Sequence, residues 1–462
     1  MSADDETITR RFSPATDDAV AIEVPRLVAA FECRRPLVPG LRLSLEAVDE
    51  VLIGRGAERV WSRGNRQLLL SVPDLEMSRL HVRLSRQAEG WTLDDVGSKN
   101  GTQVDGVRTA RALLGDGDLI EIGRTLFVFR DHADRRGDPG DRDLSADRGG
   151  LEVFRTLSID LERRAEELAR IAPTPVPVLL LGETGTGKEL VAQAIHTLSD
   201  RRGPFVPVNC GALPRTLIES ELFGYRKGAF SGAREDRLGL ARRADGGTLF
   251  LDEVAELPEE SQVALLRLLQ DGEVRPIGAT DLARVDVRVV AATHQDLEAR
   301  IADGRFRRDL YARLAGYETV TPPLRDRPED LGSIISTLLR RIGVTEGGLV
   351  VHPQAAYALF AYPFPMNVRE LEQALRAAVA LAEDGEITLD HLPPAIRNHA
   401  HAARRQLRPE DAALRARLVA ELRQNRGNIS ATARALDKAP VQVRRWCRRL
   451  DIDLAEFRRS EP

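Results

Sequence analysis

Two short stretches of this chain carry residues suited to a nucleoside triphosphate. VPVLLLG runs straight into GETGTGKE, so an apolar strand leads into Gly182, Glu183, Thr184, Gly185, Thr186, Gly187, Lys188 and Glu189 at P-loop spacing, followed by a helical stretch. Small residues let backbone N–H groups close around phosphate, the helix N-terminus adds positive potential, and Lys188 reaches the outer phosphates. Glu189 stands where a P-loop normally has a Ser or Thr hydroxyl for magnesium. In the second stretch, GGTLFLDE, Asp252 and Glu253 end an apolar strand. Asp252 can hold Mg2+ through its waters, and Glu253 can orient and polarise an attacking water. A Gly-rich turn or an acidic strand end is ordinary by itself. Both together, each in a strand-then-turn context, predict that a nucleoside triphosphate is bound with Mg2+ and hydrolysed.

The surrounding elements must hold these groups. Over residues 151–397, apolar strands such as Val178–Leu181 and Thr248–Leu251 alternate with amphipathic helical stretches, predicting a parallel sheet flanked by helices. Residues 26–130 read instead as short β runs separated by Gly, Asp and Asn turns, which predicts an all-β sandwich. Residues 1–25 read as a disordered tail, 131–150 and 398–409 as solvated linkers, and 410–462 as a helical module. A length of 462 residues suits about three domains, and 42% hydrophobic against 30% charged residues suits packed cores. No apolar run approaches a membrane span, and the acidic, polar start does not read as a secretory signal, so a cytoplasmic protein without membrane contact is expected. Cys33, Cys210 and Cys447 are far apart and odd in number, predicting buried reduced thiols rather than a disulfide framework. Residues 404–462 hold 15 Arg or Lys against 8 Asp or Glu, a net of +7, leaving 52 against 63, or −11, for the rest. A basic module on an acidic body is the asymmetry of a nucleic-acid contact.

With these motifs in view, residues 151–397 resemble the AAA+ domain of bacterial enhancer-binding proteins, the ATPases that activate the sigma-54 form of RNA polymerase. ELFGYRKGAFSGA, residues 221–233, resembles that family's diagnostic GAFTGA loop, with Ser231 replacing the usual Thr. The resemblance implies that Gly228, Ala229, Phe230, Ser231, Gly232 and Ala233 touch the sigma factor, with Phe230 at the tip. A Gly-flanked aromatic tip suits the task, because Gly permits movement and an exposed ring gains area on docking. The resemblance also implies that ATP is the nucleotide, that Asn209 restrains the catalytic Glu253, that His294 occupies the sensor position, and that Arg307 and Arg313 are arginine fingers supplied across a homo-oligomeric, hexameric ring. FPMNVREL resembles the lid signature, with Arg369 sensing nucleotide from a helical lid over about 328–397; Phe364 and Met366 depart from its usual Trp and Gly.

Three pieces of the β-rich segment also fit one pocket: Gly54–Arg55, SRLH at 78–81 and GSKNGT at 97–102. Their order and spacing resemble a forkhead-associated (FHA) domain, a family that binds phosphothreonine peptides. Arg55 offers a charge-assisted fork, Ser78 and Arg79 add donors, and Asn100 can hold the peptide backbone; His81 reads as a buttress of the loops. The implied partner is a phosphothreonine-containing protein or a neighbouring subunit. The C-terminal ELRQNRGNISATARALDKAPVQVRRWCRRLDI resembles a Fis-type helix-turn-helix. Its core would use Ile429, Ala433, Leu436, Val443 and Trp446, with Asn428 or Ser430 as a cap, leaving Gln442, Arg444, Arg445, Arg448 and Arg449 for DNA. The chain thus reads as multidomain: an all-β sandwich, an α/β P-loop ATPase with a helical lid, and an all-α DNA-binding module. The expected function is a phosphopeptide-responsive activator of sigma-54 polymerase. The alternative is a nucleotide-switched DNA-binding repressor or scaffold that never remodels polymerase, and the GAFSGA stretch weighs against it.

Overall fold

The computed structural model describes residues 22–134, 139–146, 151–403, 409–425 and 427–436, together with Val443, Trp446, Cys447, Ile452 and Phe457. Two sheets face each other in the front part. One runs Arg142–Asp143, Leu41–Ser44, Ile22–Glu32, Thr125–Asp134, Leu119–Ile122, Thr102–Val104, Val107–Thr109; the other runs Arg111–Leu113, Gly90–Asp95, Val82–Gln87, Glu50–Arg55, Gln67–Val72, Val60–Gly64. Alternate residues such as Val51 and Ile53, or Leu68, Leu70 and Val72, point into the shared core. The expected sandwich is therefore present, with different edges. Residues 22–25, assigned to the tail, begin the first strand. The 131–150 stretch is not uniformly solvated: the Thr125–Asp134 strand extends into it, Arg142–Asp143 adds a strand to the sheet edge, and Leu144 is fully buried. Asp141 explains the capture of this strap, accepting from the Ser44 N–H at 2.9 Å and the Trp61 indole N–H at 3.0 Å, and from Arg63.

The middle part is a five-stranded, wholly parallel sheet in the order Phe205–Asn209, Thr248–Asp252, Arg288–Thr293, Val178–Leu181, Tyr317–Val320. Its three central strands are buried on both faces beneath helices, so they read as largely apolar runs. The lid comprises the helices Pro328–Ile342, Pro353–Ala361, Asn367–Leu381 and Pro394–Ala403. The last of these occupies residues 398–403 of the stretch expected to be a linker; helix resumes at Pro409–Gln424. Asn428 caps the helix Ile429–Ala435, accepting from the Ala431 N–H at 3.1 Å. Leu418, Leu422, Ile429, Ala433, Leu436, Val443, Cys447 and Ile452 form one apolar cluster, with Trp446 packed against it.

The sandwich is docked on the lid. In the strand Ile22–Glu32, Leu27 and Ala29 face the sandwich core, while Val28, Ala30 and Phe31 join the lid's Leu331, Ile335 and Leu339 in a second core. The contact is close enough that a Cβ on Gly332 would lie 1.9 Å from the Ala30 carbonyl oxygen. Polar groups stitch its margins: the Val351 N–H donates to Cys33 O at 2.8 Å, the Tyr357 hydroxyl donates to Asp105 O at 3.0 Å, and Arg124 bridges Glu76 at 2.6 Å and Glu386 at 3.3 Å. All three cysteines are free and buried. Burial pushes the Cys33 thiol up, and pushes Cys210 up to about 12 with help from Asp252 and Glu253, so neither supplies a thiolate near neutral pH.

Candidate functional site

The P-loop lies between the strand Val178–Leu181 and the helix Lys188–Leu198. Lys188 is 7% exposed, and its ammonium donates to the carbonyls of Gly182 at 2.8 Å and Glu183 at 3.1 Å. Burial holds it below the usual lysine range despite the nearby Glu253 and Asp252, and Arg369 adds to the lowering. Gly185 is required where it stands: its φ is +81, and a Cβ there would sit 2.3 Å from Met366 O. Thr186 is buried, its hydroxyl donating to Glu183 O at 2.9 Å and sharing a hydrogen bond of 2.9 Å with Thr321. Glu189 is exposed, in contact with Gln193 rather than with the acidic pair. A glycine-rich cradle, a poised ammonium and an acidic strand end opposite fit a nucleotide phosphate with Mg2+.

Glu183, expected among the ATP-binding residues, joins its side chain to Arg325 and Asn367. Its carboxylate accepts from Arg325 at 2.9 and 2.5 Å and from Asn367 at 3.1 Å. Those bonds, Arg325 first, pull its pKa down to about 2. Asn367 is fully buried at φ +54 and also donates to Thr184 O at 3.0 Å while accepting from the Leu324 N–H at 2.8 Å. The next N–H, of Val368, reaches Gly185 O at 3.0 Å. Asn367 and Arg325 are thus the fasteners between P-loop and lid that sequence reasoning missed. Asn is among the few side chains that tolerate the left-handed backbone region, the available signal for Asn367. Arg369 is exposed, one turn into the same helix.

Asp252 and Glu253 close the strand Thr248–Asp252. Burial, reinforced by the Glu253 charge, pushes Asp252 above the ordinary carboxylate range against the pull of Lys188. Glu253 adopts left-handed backbone, φ 54 and ψ 47, uncommon for a glutamate and typical of a constrained functional position. Asn209, which the resemblance implied would restrain Glu253, stands on the neighbouring strand. Parallel register pairs Asn209 with Asp252, and its amide lies 3.4 Å from Asp252 Oδ2. His294 contacts Glu253, its Nδ1 at 2.7 and 2.8 Å from the two carboxylate oxygens, and the Thr293 hydroxyl reaches one of them at 3.5 Å. Arg307 stands just before the helix Arg308–Leu314 and is engaged by Asp309 at 3.0 and 2.7 Å, while Arg313 is exposed further along it.

Residues 226–236 form a hairpin loop between the paired strands Gly224–Tyr225 and Arg237–Leu238. The Gly228 N–H donates to Ala233 O at 2.8 Å and the Ala233 N–H to Phe230 O at 3.0 Å, closing a tight turn with Gly228 and Gly232 at positive φ. Phe230 is 43% exposed, its ring edge-on to Tyr225 at 4.9 Å. Ala229 is half-buried, Ser231 is exposed and Ala233 is buried.

At one end of the sandwich, Arg55, Arg79 and Asn100 are exposed and Ser78 half-buried. The Arg55 N–H donates to Ser78 O at 2.9 Å, and Asn100 Nδ2 donates to Glu76 O at 2.8 Å, so the three sequence pieces do meet. His81 is wholly buried, Nδ1 accepting from the Ser78 N–H at 3.1 Å and Nε2 donating to Gly101 O at 3.2 Å, a buttress as expected. Asp95 ties down the third piece. Burial alone would raise its pKa, but hydrogen bonds from Ser98, Thr102 and Gly97 hold it low. Gln442, Arg444, Arg445, Arg448 and Arg449 lie outside the described residues.

A P-loop, an acidic strand end, a five-stranded parallel sheet and a helical lid define an AAA+ ATPase domain. Residues 156–319 match the Sigma-54 interaction domain, 325–409 the AAA+ ATPase lid domain and 51–123 the FHA domain. Through residues 156–409 the chain belongs to the sigma-54 activator family of AAA+ ATPases, and it carries an FHA domain in front. It is 44% identical over 292 residues to the hydrogenase transcriptional regulatory protein HoxA of Cupriavidus necator, covering 62% of this chain and 60% of that one. It is 40% identical over 328 residues to the Nif-specific regulatory protein of Azotobacter vinelandii, covering 70% and 63%. The chain thus spans about three fifths of the length of these curated relatives. NtrX from Brucella abortus, solved in complex with ADP, superposes with a TM-score of 0.51 at 32% identity, covering 64% of this chain and 69% of that one. Among the described residues, no helix is long and apolar enough to cross a membrane.

Proposed function

We propose that this protein is a cytoplasmic, sigma-54-dependent transcriptional regulator that hydrolyses ATP to remodel sigma-54 RNA polymerase at promoters, under the control of phosphothreonine recognition by its FHA domain. ATP with Mg2+ supplies a phosphoryl group whose charge the metal partly neutralises. Lys188 and the P-loop N–H groups hold the phosphates, Asp252 holds the metal through water, and Glu253 takes up and orients the attacking water. Arg307 and Arg313 reach the site of a neighbouring subunit in a hexameric ring, where they stabilise negative charge on the transferring group. Arg369 reports occupancy to the lid. Residues 228–233 grip the sigma factor through Phe230, Arg55, Ser78, Arg79 and Asn100 bind the phosphothreonine peptide, and the basic C-terminal module binds an enhancer-like upstream DNA site. The observation that carries this reading is the pairing of Lys188 and the Asp252–Glu253 strand end with an exposed Phe230 on a GAFSGA hairpin.

The test is open-complex formation on a sigma-54 promoter with purified polymerase. Lys188→Ala should lose nucleotide binding, and Glu253→Ala should bind nucleotide without turning it over; both should fail to open the promoter. Normal ATP hydrolysis by either variant sinks the assignment. A protein that hydrolyses ATP yet never supports open complexes is the repressor or scaffold instead.

A further inference from the structure

A cavity of about 710 Å³ begins at Thr186 and Gly187, on the lid side of the P-loop. Asp252 and Glu253 do not line it, so it lies away from the end where metal and attacking water belong. A nucleotide with its phosphates on the P-loop has this cavity as the enclosed space for ribose and base. Part of its wall is conventional, Leu190 and Ala194 from the P-loop helix and Val368 from the lid. Residues 151–156 and the lid helix Pro328–Ile342 add more of it, and the FHA side contributes Leu37, Val38 and Pro39 on a sandwich loop, with Leu144 on the strap.

That loop is fixed in place. Leu37 O accepts from both Ser336 Oγ and Arg340 Nη2 at 2.7 Å, Pro39 O accepts from Arg59 at 2.8 Å, and the Gly40 N–H donates to Ser333 Oγ at 3.1 Å. Because the Leu37 and Pro39 carbonyls are already engaged, what the loop offers the cavity is chiefly apolar surface, which suits the face of a flat heteroaromatic base. Ser333, Ser336 and Arg340 all lie on the lid helix Pro328–Ile342, so the loop is held there by the same docking that joins sandwich to lid.

We propose that the FHA domain completes the base end of the nucleotide cavity through Leu37, Val38 and Pro39, so that nucleotide affinity depends on its docking against the lid. This rests on the reading of the P-loop as a nucleotide site. The test uses the full chain with two probes, ADP and inorganic pyrophosphate, because only ADP reaches the base end. Val38 is half-buried, so Val38→Asp is tolerable to the fold and replaces apolar wall with a hydrated carboxylate. It should weaken ADP by about tenfold or more while pyrophosphate stays within about twofold, and the milder Val38→Ala should weaken ADP by about threefold. Unchanged ADP affinity in both variants overturns the proposal, as does a parallel loss of ADP and pyrophosphate, which would mean damage to the fold. A wild-type chain that binds neither probe would instead overturn the P-loop reading.

Discussion

His294 donates through Nδ1 to both carboxylate oxygens of Glu253, at 2.7 and 2.8 Å. The donor fixes the carboxylate's direction at a residue whose left-handed backbone already limits its rotamers. A correctly placed base contributes about 10² to 10⁴ in rate, so loss of orientation should cost a fraction of that. His294→Leu should lower kcat by about tenfold or more with little change in nucleotide affinity, and His294→Asn should recover part of the loss. Steady-state ATPase assays alongside equilibrium ADP binding read both quantities. A rise in KM without a fall in kcat would put His294 on the phosphates instead.

The Glu183 clasp predicts a pH effect of definite sign. Its pKa, held to about 2 by Arg325 and Asn367, lies below the ordinary carboxylate value of 4.5. A depressed acid stabilises the closed lid fully above the ordinary value and loses that contribution as pH falls toward the folded one. The pair is partly exposed, so the effect is that of a surface ion pair, up to about fivefold. ADP dissociation from the wild type should accelerate below about pH 4.5, and Glu183→Gln should release ADP faster at neutral pH with no further acceleration in that window. Stopped-flow release of labelled ADP measures this; identical pH profiles for the two proteins would remove Glu183 from the lid's control.

Gly332 should hold the FHA–lid seam. Any side chain there meets the backbone of Ala30, which cannot rotate away, so Gly332→Leu must separate the strand from the helix. Overpacking of this kind costs typically about 1–3 kcal/mol, and here the loss falls on docking. Calorimetry should show one cooperative transition becoming two, and the strap around residues 139–146 should become sensitive to protease. A single transition at an unchanged temperature would mean that the two domains do not share stability across this face.

The nucleotide chemistry was legible in the sequence because its parts are local. Gly182 to Lys188 are contiguous, and Asp252 and Glu253 end a strand whose apolar run is itself a strand signal. The FHA pocket was legible for a similar reason, three short pieces in a regular β pattern. The seam was not, since whether Val28 and Ala30 face water or a lid depends on a partner some 300 residues away. Their continuous apolar run with Leu27 and Ala29, in place of alternation, was the only trace of a strand covered on both faces. The Glu183–Arg325 clasp spans 142 residues, and the contact of His294 with Glu253 joins residues 41 apart in sequence, which composition does not encode. Asp141 and Leu144, with ion pairs from Arg142 to Glu162 and from Arg59 to Asp143, turn a stretch rich in Asp, Arg and Gly into a folded strap.

The hairpin tip should separate hydrolysis from output. Phe230 rests edge-on against Tyr225, and with 43% of its surface open it has area still to bury on a partner. The turn that presents it is closed by backbone bonds from Gly228 to Ala233 and from Ala233 to Phe230, neither of which uses the ring. Phe230→Ala should therefore leave the hairpin folded and ATPase activity within about twofold, because buried aromatic area, not turn geometry, is what the change removes. Open-complex formation with sigma-54 polymerase should fall below detection, and Phe230→Tyr, which keeps the ring, should retain part of it. Joint loss of hydrolysis and promoter opening in Phe230→Ala would mean that the ring supports the ATPase fold, and full promoter opening would mean that the sigma factor is gripped elsewhere.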